Sequence, residues 1–174
     1  MLKEVGLEEI TKYKDPFALF EESAIALAMD PTLGENGHRA AITIAWGALG
    51  ILFGDPSLTV YIHKSRYSEQ VFEHADTFSV CFFDTEHQQE INAYYGAKSS
   101  RDIDKYNEGV FTPLEIDGTP AFKEAKLIIV CKKVAEAKFD SDHVYHNDRI
   151  KNWYASSGGH TLFVGRIQKI LREE

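Results

Sequence analysis

Cysteine is scarce in this 174-residue chain: Cys81 and Cys131 stand fifty positions apart, each inside an apolar run. That spacing offers neither a C-x-x-C redox dithiol nor a zinc ribbon, so buried free thiols in a reducing cytoplasm are expected. An excess of cations is missing too. Nineteen Lys and Arg face 27 Asp and Glu, and the formal net charge of −8 disfavours nucleic acid and anionic membrane surfaces as partners. Any anion held here needs a local cluster of cations. Long hydrophobic runs are also lacking: the longest, Ala40 to Phe53, contains Gly47 and Gly50 and is shorter than the ~20 residues that cross a bilayer. The first residues, with Glu4, Glu8 and Glu9, do not read as a secretion signal. No Walker loop, G-x-G-x-x-G or G-x-S-x-G is present, and neither cysteine sits beside a plausible base, which argues against classical nucleotide folds and covalent hydrolysis.

What is present suits one globular domain over residues 1–174, with 44% hydrophobic and 26% charged side chains. β-Branched and aromatic runs with period two predict six strands, at Ala24–Met29, Ile42–Trp46, Leu58–His63, Phe78–Phe83, Ala125–Val134 and Thr161–Ile167. In "ITIAW", Ile42, Ile44 and Trp46 share one face, Thr43 and Ala45 the other, and "GALG" ends the pattern. Short helices are expected over Ser68–Ala75, Thr85–Tyr95, Arg101–Glu108 and Asp148–Tyr154, with a capping box from Thr85 to Gln88. Their irregular placement argues against a doubly wound parallel sheet. "PTLGENG" and "IDGTPAF" read as turns.

Two clusters stand out. "TVYIHKSRYSEQVF" gathers Lys64, Ser65, Arg66, Tyr67 and Ser68 between a strand and a helix, and Ser68 as N-cap would turn the positive helix end toward Arg66. "AKSSRDIDK" repeats the chemistry with Lys98, Ser99, Ser100, Arg101 and Lys105. Each cluster fits either a solvated turn or one side of a phosphate clamp. His160 follows Gly158 and Gly159 at a strand mouth, where it is either a rim histidine or within reach of a ligand. His143 and His146 have H-x-x-H spacing without a helical pattern, and no metal site is assigned.

"ITIAWGALG", "TVYIHKSRYS", "FSVCFFD", "AKSSRDIDK", "DGTPAF" and "HTLFVGRI" resemble, in order and near the spacing, the flavin reductase-like FMN-binding split-barrel family, its flavoredoxin group in particular. The match runs from about Asp15, and "DPFALF" and "ALAM" look like the group's lead-in. The resemblance implies a mainly β fold with short helices: a six-stranded antiparallel Greek-key split β-barrel of the FMN-binding type, paired into a homodimer. It places Thr43, Ile44, Ala45 and Trp46 at the flavin ring, and Ser65, Arg66, Tyr67 and Ser68, with Lys64 as an added charge, at the phosphate. Lys98, Ser99, Arg101 and Lys105 fall on its second anion loop, and His160 near the flavin and nicotinamide as the one catalytic candidate. The sequence departs from the family pattern at Ala40, Ala45, His63, Lys64 and Ser100.

The implied activity is that of a cytoplasmic oxidoreductase holding FMN rather than FAD. It would pass reducing equivalents from NAD(P)H or a reduced redox protein to flavin or another acceptor. Flavin carries the difficult chemistry, which fits the missing protein nucleophile. The alternative is a non-catalytic split-barrel module for flavin or haem, motivated by Ala40 and Ala45; a pyridoxamine-phosphate-oxidase-like activity finds no further phosphate motif.

Overall fold

A computed structural model describes residues 1–12, 17–21 and 24–174. Among them ten strands form: β1 Leu2–Val5, β2 Ala24–Asp30, β3 His38–Ile44, β4 Gly47–Leu52, β5 Asp55–His63, β6 Thr77–Phe82, β7 Pro113–Ile116, β8 Thr119–Phe122, β9 Leu127–Phe139 and β10 His160–Glu173. The main sheet runs β3-β2-β6-β9-β10-β5-β4, with β1 joined to β10, and every pairing is antiparallel. The six expected strands are β2, β3, β5, β6, β9 and β10, which form one unbroken path and make the fold the expected split barrel.

The near-continuous apolar runs have a physical reason: several strands are buried on both faces. Ala24, Ala26 and Ala28 of β2 face one core with Leu58, Phe72, Phe78, Phe82 and Phe163. Alternate residues Ile25 and Leu27 face a second core with Tyr95, Phe111 and Phe122. Each fully buried large side chain contributes about 1.5–3 kcal/mol relative to exposure. Cys81 and Cys131 lie one in each core as free thiols, and burial pushes Cys81 up to about 12, so it packs as a small hydrophobe.

Four strands escape the periodicity argument. Gly47–Leu52, expected to break the pattern, is an edge strand paired to β5, and the break falls instead at Ala45 and Trp46. Trp46 therefore lies beyond the strand end, exposed, and does not join Ile42 and Ile44 in the first core. Its neighbour Gly47 tolerates no side chain, since a Cβ would lie 2.0 Å from the Phe20 ring. "DGTPAF" does turn, with positive φ at Asp117 and Gly118, but the turn joins β7 and β8 in a two-residue hairpin. β9 and β10 also outrun their expected ends, because the end of each pairs antiparallel with the start of the other, Phe139 opposite His160 and Arg172 opposite Leu127.

Helices α1 Glu8–Thr11 and α2 Ala18–Glu21 precede the barrel; α3 Tyr67–His74 and α5 Asp148–Ser157 flank its mouth. Asp15 and Pro16 of the lead-in lie outside the described residues. Between β6 and β7 a 3-10 turn Thr85–His87, a helical turn α4 Gln88–Glu90 and a π-helical segment Ile91–Gly96 follow in series. No capping box forms there: Asp84, not Thr85, is the N-cap, and its carboxylate turns to Lys126. The helix expected over Arg101–Glu108 is replaced by turns. The Asp104 carboxylate accepts the Tyr106 and Asn107 backbone N–H groups at 3.1 and 3.0 Å, a local alternative that competes with helix.

Candidate cofactor-binding cleft

Strand β5 ends at His63, and a tight turn leads into α3: the Arg66 N–H donates to the His63 carbonyl at 2.9 Å, and Glu69 N–H to the Arg66 carbonyl at 3.0 Å. Arg66, not Ser68, is thus the N-cap, with extended backbone and no side-chain cap bond. Because the helix starts one residue before Ser68, that serine sits in its first turn. It is buried and lines a cleft instead of capping.

That cleft, ≈ 170 Å³, lies between the α3 start and the segment after the π-helix, with Thr43 of β3 in its wall. Arg66, Lys98 and Lys105 supply cations, and Ser65, Ser68, Ser99 and Ser100 hydroxyls. No carboxylate is among the described residues lining it, despite the acidic chain. The second loop is pinned from below, as Ser100 Oγ donates to the Ala41 carbonyl at 3.4 Å and Ser99 Oγ accepts the Arg101 N–H at 3.1 Å. Lys105 is buried, and its Nζ donates to the Tyr95 carbonyl at 2.6 Å. Burial, then the nearby Arg66, lowers its pKa to about 8. An ammonium held so far from water is poised for an anion beside it.

Thr43, Ser65 and Arg66 also line an adjoining space of ≈ 340 Å³ with Ile44, Ala45, Trp46, Tyr61, His63, Trp153 and His160. Four of its rings pack together: His63 stacks on Trp153 at 5.1 Å, Trp46 lies 4.7 Å from His160, and the two pairs meet edge to face. His160 is buried, with its Nδ1 2.7 Å from the Tyr154 hydroxyl. Burial, then His63, holds its pKa down to about 4, so the ring is neutral. Its position depends on two glycines. Gly158 ends α5 in the left-handed conformation, and a Cβ on Gly159, at φ +100°, would fall 1.9 Å from the Phe139 carbonyl oxygen.

Of the sequence-predicted residues, the structure gathers Thr43, Ile44, Ala45, Trp46, Ser65, Arg66, Tyr67, Ser68, Lys98, Ser99, Lys105 and His160 along one cleft. Lys64 is not in its lining; its N–H donates to the Gly159 carbonyl at 3.0 Å. Arg101 sits at the rim, its guanidinium 5.2 Å from the Tyr67 ring centre. Ala40 is fully buried in the first core. His63, Trp153 and Ser157 were not predicted as site residues; the helix expected over Asp148–Tyr154 includes Trp153 and stops short of Ser157. His143 is taken up in capping its own turn, 2.8 Å from Asp140.

A cation-lined pocket continuous with an aromatic-lined one thus opens on a split barrel. The chain belongs to the flavin reductase-like domain family, whose model matches residues 28–174. No curated protein matches it. Among solved structures it is similar to flavoredoxin from Methanosarcina acetivorans, at 21% identity and TM-score 0.64, over 88% of this chain and 69% of that one. An FMN-binding protein from Thermus thermophilus with bound p-hydroxybenzaldehyde follows at 18% and 0.62, covering 93% and 78%. The Streptomyces globisporus NADH:FAD oxidoreductase, in complex with NAD and FAD fragments, gives 12% and 0.58 over 87% and 75%. No helix among the described residues is long and apolar enough to cross a membrane.

Proposed function

We propose that the cleft binds FMN and that the protein is a flavin-dependent oxidoreductase, taking reducing equivalents from NAD(P)H or a reduced redox protein. The observation that carries this reading is the continuity of the two spaces through Thr43, Ser65 and Arg66, with cations at one end and rings at the other. The donor set fits the group. Arg66, Lys98 and Lys105 with the serine hydroxyls can neutralise and hydrogen-bond a phosphate monoester, and the positive end of α3 adds to them. The small Ala45 lets the backbone after β3 approach a flat ring, while Trp46 and His160 limit the space beside it. Bound flavin supplies the hydride and electron transfer, so the protein has only to bind, orient and exclude water. A neutral His160, fastened to Tyr154, shapes the acceptor pocket rather than donating a proton. Ile51 of β4 and Phe53 in the turn after it lie exposed, and β4 has no second neighbour among the described strands, which supports pairing of two copies there.

The test is an absorption titration with FMN, followed by anaerobic addition of NADH or NADPH. Saturable binding and bleaching are expected. Failure to bind FMN defeats the reading, and binding without bleaching by NADH, NADPH or reduced ferredoxin leaves a non-catalytic flavin module. That second reading is favoured by one feature, the Trp153 ring, which already stacks on His63 over part of the flat space.

A further inference from the structure

His63 ends β5 where the two spaces meet, and both of its ring nitrogens are engaged. Nδ1 accepts the Ser65 backbone N–H at 3.1 Å and lies 2.8 Å from Ser65 Oγ. Nε2 lies 3.2 Å from Ser157 Oγ. The Ser157 hydroxyl donates to the Trp153 carbonyl at 2.7 Å, so its lone pairs are what it offers to His63. Nε2 therefore carries the proton and Nδ1 accepts, which is the neutral imidazole. The same ring stacks on Trp153 and meets His160 edge-on. One side chain thus joins the turn before α3 to the last turn of α5.

We propose that His63 is a positioning residue that couples the two ends of the cleft. It sets Ser65 for a phosphate monoester through Nδ1, and through Nε2 it holds α5, with Trp153, over the ring end. The inference rests on the reading of the cleft as a flavin site. Ser65 Oγ can turn its proton from Nδ1 to a phosphate oxygen without moving, because the backbone N–H stays on Nδ1 and keeps the turn closed. Loss of the Nδ1 contact should weaken phosphate recognition alone. Loss of the Nε2 contact frees α5 and should weaken any ligand that occupies the ring end.

Two substitutions divide these roles. In His63→Asn the amide oxygen stands near the Nδ1 position and can accept the Ser65 N–H in an Asx turn, but the side chain is too short for Ser157. In His63→Gln the amide reaches toward Ser157 and offers no matching acceptor to Ser65. Wild type, both variants and Ser157→Ala are titrated with FMN and with riboflavin, which lacks the phosphate, with circular dichroism confirming the fold. His63→Gln is expected to lower the preference for FMN over riboflavin about tenfold while leaving riboflavin affinity within about twofold. His63→Asn and Ser157→Ala should keep the preference and weaken both ligands several-fold alike. An unchanged preference in His63→Gln overturns the proposal, as does wild-type riboflavin affinity in Ser157→Ala. Wild-type protein that binds neither flavin overturns the flavin reading itself.

Discussion

Lys105 gives the sharpest test of the anion end. Its ammonium is buried against the Tyr95 carbonyl, and its pKa falls from 10.5 to about 8. The unfolded chain therefore holds a proton that the folded chain releases between pH 8 and 10.5, so this group makes stability rise with pH across that window. Below pH 8 the folded protein carries a buried charge that costs about 3 kcal/mol. A phosphate placed beside it should restore the ordinary pKa and recover much of that cost. Lys105→Met is then expected to stabilise the flavin-free protein at pH 7 by about 1–2 kcal/mol, after loss of the bond to Tyr95, raising Tm by a few degrees. The same change should cost FMN about 10- to 100-fold in affinity and riboflavin little. Calorimetry in two buffers of different ionisation enthalpy, at pH 8, should show uptake of up to about half a proton per FMN assigned to Lys105, absent from the variant. Equal proton uptake by wild type and Lys105→Met, or a destabilised variant with unchanged FMN affinity, refutes the reasoning.

Other outcomes follow from the same geometry. Arg66→Ala, which removes a lining cation, should weaken FMN by about 10- to 100-fold in an absorption titration, whereas Arg101→Ala at the rim should change it less than about threefold. Gly159→Ala, with its Cβ driven into the Phe139 carbonyl, should lower unfolding free energy by at least about 2 kcal/mol in urea melts; an unaltered midpoint contradicts that packing. His160, with its folded pKa depressed to about 4 from 6.5, stays neutral from pH 5 upward in NMR titration. Protonation on unfolding then makes its contribution, up to about 3 kcal/mol, present above pH 6.5 and lost as pH falls toward 4. A titration midpoint above 6 would show the ring to be more exposed than the structure places it.

The barrel was legible because its six strands bury large alternating residues, which is the one feature periodicity detects. β4 was hidden by Gly47 and Gly50, which interrupt the apolar alternation; Gly47 is there because the Phe20 ring lies against it, not to bury a side chain. The false helix at Arg101–Glu108 came from composition alone; the decisive interaction, Asp104 bonding to residues two and three ahead, is local but competes with helix rather than advertising a turn. The two cation clusters were visible as sequence, yet their meeting at one cleft depends on β3 lying between them. Side chains that arrive from α5, Trp153 and Ser157, carried no signal because their partner, His63, is ninety or more positions away.

The π-helical segment Ile91–Gly96 leads directly into the second cation loop. Its Ala97 N–H reaches back five residues to the Asn92 carbonyl, one more than in an α-helix. That surplus residue sets the angular phase of everything after it, including Lys98, Ser99 and Ser100. Removing one residue between Asn92 and Tyr94 would let an ordinary helix form, and would swing the following loop by about 100° about the helix axis. The cleft would lose its second wall while helical content by circular dichroism stayed the same. Half of the anion site is thus written as a count of residues, and a one-residue deletion that preserved FMN affinity would show the loop to be placed by something else.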